Sequence, residues 1–182
     1  LREVTDALSY AHGHGVVHRD VKPENVMLSG RHALVMDFGV AKAVSEATGA
    51  QSLTTVGVAL GTPTYMAPEQ ATADPHVDHR ADIYAVGVMA YELLTGRPPF
   101  TGNTPQQVIA AHVTQAPDHI TRHRTAVPVP LAELVMRCLE KKPADRFQSA
   151  QQLLDRFEDM ATPTGGMTPA GTSPHRAVRR SR

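Results

Sequence analysis

Residues 18–25 read His18-Arg19-Asp20-Val21-Lys22-Pro23-Glu24-Asn25, and Asp37-Phe38-Gly39 begins twelve positions after Asn25. Two short apolar runs lie between these polar stretches, at 26–28 and 33–36, and a polar turn that contains Gly30 separates them. This pattern predicts a small β hairpin. Because Asn25 directly precedes the first strand and Asp37 directly follows the second, we expect the two polar stretches to lie on neighbouring loops.

Helical patterns dominate the rest of the chain. Apolar residues at 1, 4, 8 and 11 predict a helix that ends near the glycines at 13 and 15. The longest helix is predicted from an N-cap at Asp78 to Thr95, and since apolar residues cover most of its circumference, we expect it to be the buried axis. Three further helices are predicted. One starts at Thr104-Pro105 and ends before Pro117, and one follows from apolar spacing over 131–139. The last begins with a Ser149–Gln152 capping box and carries an apolar face that ends at Met160.

Composition excludes several classes of protein. The 182 residues carry a formal net charge of +0, so the chain as a whole offers no basic surface for nucleic acid. The single cysteine, Cys138, lies in an apolar helical pattern, which favours a buried thiol in a reducing compartment. No apolar run reaches the roughly 18 residues of a membrane span. We therefore expect a cytoplasmic segment with no nucleic-acid partner and no membrane span.

Two stretches lack a sustained hydrophobic period. Residues 40–61 are rich in Ala, Ser, Thr and Gly and predict a long loop. Residues 161–182 are dominated by Thr, Pro, Gly, Ser and Arg, with too few apolar side chains to offset the entropy of ordering, and predict a disordered linker or tail. The folded part is therefore predicted to span residues 1–160. Because the tail ends in arginines, sequence beyond residue 182 decides whether the whole protein is anchored in a membrane.

The two polar stretches, together with Ala67-Pro68-Glu69, resemble the catalytic loop, the metal-binding loop and the end of the activation segment of protein kinases. The resemblance covers residues 1–160. It implies an α+β protein-kinase-like fold, represented here by a mostly α-helical C-terminal lobe with a small β hairpin at its active face. A lysine at position 22, within Lys-Pro-Glu-Asn, follows the serine/threonine pattern, and residues 61–70 most resemble bacterial serine/threonine kinases of the eukaryotic (Hanks) type.

The resemblance implies ATP and Mg²⁺ as cofactors and protein Ser/Thr hydroxyls as substrates. Asp20 would be the catalytic base that orients the hydroxyl and takes its proton, and Thr62 would position the substrate by bridging Asp20 and Lys22. Asn25 and Asp37 are hard oxygen ligands that suit a Mg²⁺ ion bridging the phosphates. The residues expected to contact the nucleotide are Lys22, which would touch the γ-phosphate, Glu24, Asn25 and Asp37.

A regulatory role is implied for Arg19, which directly precedes the base as in kinases that are switched by phosphorylation of the activation loop. Thr54 and Thr55 lie midway along the predicted loop. A phosphothreonine at either position would give the Arg19 guanidinium a charge-assisted partner and could order the segment. The alternative, that both are ordinary loop threonines, stays open at this point.

Structural roles are implied for a second group of residues. Glu69 and Arg146 match the family's buried ion pair, and Asp82 matches the aspartate that braces the catalytic loop from the axial helix. His18 and Phe38 are expected to be packed core residues that hold the two loops. None of these five residues is assigned chemistry.

The sequence contains no glycine-rich loop, no strand lysine and no regulatory-helix glutamate of the kinase N-terminal lobe. We therefore expect that lobe to be a partner of this segment, and the 182 residues alone to transfer phosphate negligibly. Two alternatives remain. The first is an inert scaffold or pseudokinase: a glycine-rich loop and a strand lysine before residue 1 would favour the enzyme, and a true start at residue 1 would favour the scaffold. The second is a small-molecule phosphotransferase, which would not require the segment around Thr62.

Overall fold

The computed structural model describes residues 1–38 and 63–161. Within these residues the chain forms helices and one small antiparallel sheet, as the sequence predicted. In chain order the elements are α1 (Arg2–Gly13), β1 (Val26–Ser29), β2 (His32–Val35), α2 (Pro68–Ala71), α3 (Arg80–Thr95), α4 (Pro105–Thr114), α5 (Ile120–His123), α6 (Val129–Cys138) and α7 (Ala150–Ala161). Short 3-10 turns at Pro23–Asn25 and Pro143–Asp145 complete the described part.

Helix α3 is the buried axis. Every residue from Ala81 to Tyr91 is buried, and the helix ends at Gly96, whose φ of 77° is a left-handed conformation that glycine adopts without strain. The predicted start was wrong by one position, because His79 is the N-cap and the helix begins at Arg80. The Asp78 carboxylate nevertheless accepts the Arg80 amide at 2.9 Å, as a capping side chain does, and it also binds the Arg80 guanidinium.

The other helices surround this axis in pairs. Helix α3 packs on α6, α1 packs on α7, and β2 lies against α1. At the α3–α6 contact the backbone of Gly87 approaches Cys138 so closely that a Cβ at position 87 would lie 2.6 Å from the Cys138 Cβ. Cys138 is 1% exposed, and burial raises the pKa of its thiol to about 12. The expectation of a buried thiol is therefore confirmed.

The hairpin has the predicted two strands, with Val26 paired to Val35 and Ser29 to His32. Gly30 in its turn has a φ of 62°, which a residue with a Cβ rarely adopts. The outer face of the hairpin is apolar and open, since Leu28 is 79% exposed. Tyr10 on α1 is also exposed.

The ends of helices α4 and α7 lie close to the positions predicted from the sequence. Thr104 caps α4 by accepting the Gln107 amide, but α4 ends at Thr114, before the predicted stop at Pro117. Ser149 accepts the Gln152 amide at 3.1 Å and so caps α7, as predicted. Helix α7 runs to Ala161, and the rest of the predicted linker, from residue 162 onward, lies outside the described residues.

Within residues 1–38 and 63–161, none of the helices is both long enough and apolar enough to cross a bilayer.

Candidate active site

The polar stretch 18–25 lies in the loop that follows α1 and in the first 3-10 turn. Hydrogen bonds from this loop to α3 fix its backbone. Asp82 on α3 is 1% exposed and accepts the amide of His18 at 2.8 Å and that of Arg19 at 2.7 Å. Arg19 has a φ of 68°, which costs a residue with a Cβ on the order of 1–3 kcal/mol. The bonds to Asp82 offset that strain, and the predicted brace is confirmed.

Asp20, Lys22 and Asn25 come together on this loop. The Lys22 ammonium lies 2.7 Å from Oδ2 of Asp20, and Nδ2 of Asn25 donates to the Asp20 carbonyl at 2.7 Å and to Oδ2 at 3.1 Å. The Asp20 side chain is 43% exposed, so one face of the carboxylate is open to a reactant while two neighbours fix its orientation. A positioned carboxylate of this kind can accept the proton of a hydroxyl.

His18 joins this loop to the one that follows β2. Its Nδ1 accepts the Asp20 amide at 3.2 Å, its Nε2 lies 2.8 Å from the Met36 carbonyl, and its ring centroid is 4.7 Å from that of Phe38. An acceptor at Nδ1 and a donor at Nε2 describe a neutral imidazole. His18 is fully buried, so it is the packed core residue that the sequence predicted and has no solvent-facing role.

Asp37 follows β2 at the open end of the hairpin. The Met36 amide donates to the Asn25 carbonyl at 2.9 Å, which places Asn25 and Asp37 on adjacent loops. The Asp37 side chain is exposed and its φ of 61° is again left-handed. Within residues 1–38 and 63–161 no group of three His, Cys, Asp or Glu side chains could hold a metal ion, so a cation at these two residues would need ligands from elsewhere.

The donor set nevertheless fits Mg²⁺. Because Nδ2 of Asn25 makes both of its hydrogen bonds, the carbonyl oxygen Oδ1 is the atom left for a cation, and Asp37 adds carboxylate oxygens. Mg²⁺ prefers one or two protein oxygens together with waters and substrate phosphates. Glu24 lies exposed on the 3-10 turn beside this pair.

The segment that ends the predicted loop is fixed by a buried ion pair. Nη1 and Nη2 of the Arg146 guanidinium donate to the Glu69 carboxylate at 2.6 and 2.8 Å, and Arg146 is 0% exposed. Arg146 also donates to the carbonyl oxygens of Arg80, Glu140 and Lys141, so the buried charge is fully hydrogen-bonded. The pair predicted from the sequence is therefore confirmed.

Three contacts at this site were not predicted. His12 on α1 lies 2.8 Å from Asp82, Gln70 on α2 donates to the Arg19 carbonyl, and the Tyr65 hydroxyl donates to Glu92. Burial, reinforced by the Glu92 carboxylate, raises the pKa of Tyr65 above its ordinary value. Each contact joins residues at least 27 positions apart, and polar residues on helix faces give no sequence signal of such a partner.

Four other predicted residues cannot be compared with the fold. Gly39, Thr54, Thr55 and Thr62 lie outside the described residues.

Comparison with known proteins shows the family to which the chain belongs. The family model described as protein kinase domain matches residues 1–157. Serine/threonine-protein kinase PknB of Mycobacterium leprae is 40% identical over 154 residues, which is 84% of this chain and 24% of the relative. PknB of Mycolicibacterium smegmatis is 41% identical over the same length, with the same coverage. Serine/threonine-protein kinase pkn3 of Myxococcus xanthus is 43% identical over 158 residues, covering 83% of this chain and 29% of the relative.

The chain thus spans about a quarter of the length of the curated relatives it matches. The family model nevertheless covers all but the last 25 of its residues, and the matched part includes both polar stretches and the Glu69–Arg146 pair. These findings show that the chain belongs to the protein kinase family, where it resembles the bacterial serine/threonine kinases of eukaryotic type.

Proposed function

We propose that this segment carries the catalytic loop of a protein serine/threonine kinase and acts together with an N-terminal lobe in the whole protein. The observation that supports the proposal most is the Asp20 carboxylate, which Lys22 and Asn25 hold in one orientation while one face stays open. Mg²⁺-bound ATP, when present, supplies the phosphoryl group and neutralises its charge.

Asp20 is the proposed catalytic base. The hydroxyl of a protein Ser or Thr donates a hydrogen bond to the Asp20 carboxylate, which aims the hydroxyl oxygen at the γ-phosphorus of ATP. Asp20 takes the proton as the new O–P bond forms and the bond from the γ-phosphorus to ADP breaks. Lys22 supplies a positive charge for a phosphate oxygen, and Asn25 and Asp37 hold Mg²⁺ through hard oxygens. Glu24 contributes to the nucleotide-binding surface, and Thr62 positions the substrate.

Regulation through Arg19 is the second part of the proposal. Within the described residues the Arg19 guanidinium has no acidic partner, and the hydrogen bonds of Arg19 are made by its backbone. A phosphate on Thr54 or Thr55 would supply one. Replacing both threonines by alanine should lower activity and increase proteolysis of the loop. Full activity with unchanged protease sensitivity would remove this part of the proposal.

The test is Mg²⁺-ATP phosphotransfer to a Ser/Thr protein substrate by the full-length protein and its Asp20→Asn variant. Loss of the general base should reduce kcat by about 10²- to 10⁴-fold. Asp6→Asn, an exposed aspartate on α1, is the matched control and should be as active as the wild type. Residues 1–182 alone should show negligible turnover. Equal rates for the Asp20→Asn variant and the wild type would refute the role of Asp20, and an inactive wild type would favour the scaffold alternative.

A further inference from the structure

The side chain of Gln70 connects α2 to the catalytic loop through two hydrogen bonds. Its Nε2 donates to the carbonyl of Arg19 at 2.8 Å, and its Oε1 accepts the amide of Ala67 at 3.0 Å. We propose that Gln70 is a positioning residue for Asp20, which makes the orientation of the base depend on the conformation of the 67–70 turn. The inference rests on the proposed function of Asp20.

The Arg19 carbonyl belongs to the peptide plane that leads directly into Asp20. A peptide plane is rigid, so its oxygen and its N–H move together. Gln70 holds the oxygen of this plane, and Nδ1 of His18 accepts the N–H, which is the Asp20 amide, at 3.2 Å. Both edges of the plane are therefore fixed, and rotation of the plane, which would swing Asp20, must break at least one of these bonds.

The plane needs such support because it follows a strained residue. Arg19 has a φ of 68°, and a residue with a Cβ lowers its energy by leaving that region. Asp82 fixes the amide on the N-terminal side of Arg19 at 2.7 Å, but it does not contact the peptide on the C-terminal side. On that second side Gln70 adds to the His18 bond, and its contact comes from a different element of the fold.

Because Gln70 also binds the Ala67 amide, its restraint on the Arg19–Asp20 peptide plane depends on the conformation of the 67–70 turn. Gln70 is the third residue of α2, and by accepting the Ala67 amide it caps the first turn of that helix. The side chain reaches Arg19 from this capped position. If the 67–70 turn unwinds or shifts, the capping bond and the bond to Arg19 are lost together. The turn that follows the substrate-positioning segment is thereby linked to the base.

A single substitution separates the two bonds. In Gln70→Glu a carboxylate oxygen can still accept the Ala67 amide, and glutamate is a normal residue at this capping position. The second oxygen then faces the Arg19 carbonyl without a proton between them, so the restraint on the plane becomes a repulsion. Gln70→Met removes both bonds with little change in volume.

Gln152 offers a matched control. It is the third residue of α7, its Oε1 accepts the Gln148 amide at 3.0 Å, and it is exposed and belongs to a helix remote in sequence from the catalytic loop. Gln152→Glu makes the same chemical change at the same position of a helix. It should leave kcat unchanged.

The experiment measures kcat and both KM values of the full-length protein with Mg²⁺-ATP and a Ser/Thr substrate, the melting temperature, and hydrogen exchange of amides 18–22. For Gln70→Glu we expect kcat to fall roughly 10- to 100-fold, because small displacements of a reacting group are costly. The KM for ATP should stay within about twofold, the melting temperature should match that of Gln152→Glu, and exchange at 18–22 should become faster. Gln70→Met should show the same loss of kcat with an added loss of stability.

Two results would overturn the inference. One is a Gln70→Glu enzyme with wild-type kcat, and the other is unchanged exchange at residues 18–22 in that variant. An inactive wild type would count against the proposed function instead, and the exchange measurement would still decide whether Gln70 holds the loop.

Discussion

The Asp82 carboxylate accepts the backbone amide of Arg19 at 2.7 Å, and this bond joins the most buried helix of the fold to the strained residue before the proposed base. The same carboxylate accepts the amide of His18 and lies 2.8 Å from the His12 ring. One buried charge thus serves three donors from two segments. Helix α3 therefore restrains the loop through the hydrogen bonds of the Asp82 carboxylate and not through apolar packing alone.

Asp82→Asn should uncouple the loop from α3. The amide keeps one acceptor oxygen and turns an NH₂ group toward donors, so at least one buried N–H loses its partner, at a cost of about 1–3 kcal/mol. We expect lower stability in urea-induced unfolding of the chain and at least a tenfold lower kcat in the full-length protein. Asp6→Asn, at an exposed position, should change neither quantity. Wild-type kcat in Asp82→Asn would contradict the brace.

Glu69→Gln should be more costly than an equivalent change at the surface. It leaves the fully buried guanidinium of Arg146 without a counter-charge, which typically costs about 3–5 kcal/mol. Asp78→Asn breaks the partly exposed pair with Arg80, which should cost under about 1 kcal/mol. Urea-induced unfolding of both variants gives the comparison. Similar losses for the two would show that burial of the Glu69–Arg146 pair does not set its energy.

His112 should make the fold sensitive to acid. Burial, together with the positive charge of Lys141, lowers the pKa of this residue from 6.5 to about 4. Its Nδ1 lies 2.9 Å from the Tyr84 hydroxyl and Nε2 is buried, and the Thr64 backbone, which favours the protonated ring, does not outweigh the effect of burial. Protonation would therefore place a positive charge in a buried setting beside Phe100 and Lys141.

The sign of the effect follows from the lowered pKa. Between pH 6.5 and 4 the unfolded chain binds a proton at His112 that the folded chain does not, so the free energy of unfolding falls as pH decreases, by about 3 kcal/mol in total. His112→Gln should remove this part of the pH dependence and leave the slope above pH 7 unchanged. Urea titrations at several pH values test it. Parallel curves for variant and wild type across pH 4–6.5 would contradict the assignment.

Gly87→Ala should force α3 and α6 apart. The added Cβ would meet the buried Cys138 Cβ at 2.6 Å and its backbone carbon at 3.3 Å, and overpacking of this kind costs about 1–3 kcal/mol. Gly13→Ala is the control, because nothing lies within 4 Å of a Cβ there and alanine favours the helix. The melting temperature should fall for the first variant and stay level or rise for the second. Equal melting temperatures would show that the helices can separate freely.

Local elements were predicted well where they are long or carry a distinct signal. Helix α3 was recognised because apolar residues surround it, and the hairpin was recognised because two apolar runs flank a glycine turn. The short helices α2 and α5 have four residues each, too few to show a hydrophobic period, and neither was predicted. The start of α3 lies one residue after the predicted position, although the Asp78 side chain still accepts the Arg80 amide.

The sequence by itself determined the family, the order of the catalytic and metal-binding stretches, and the proximity of Asn25 to Asp37, because a hairpin of fixed register joins them. Tertiary structure alone decided which distant groups support the loop. Gln70 reaches the Arg19 carbonyl across 51 positions, and His12 reaches Asp82 across 70. A buried polar group takes whichever partner helix packing brings within hydrogen-bond distance, and sequence spacing does not encode that encounter.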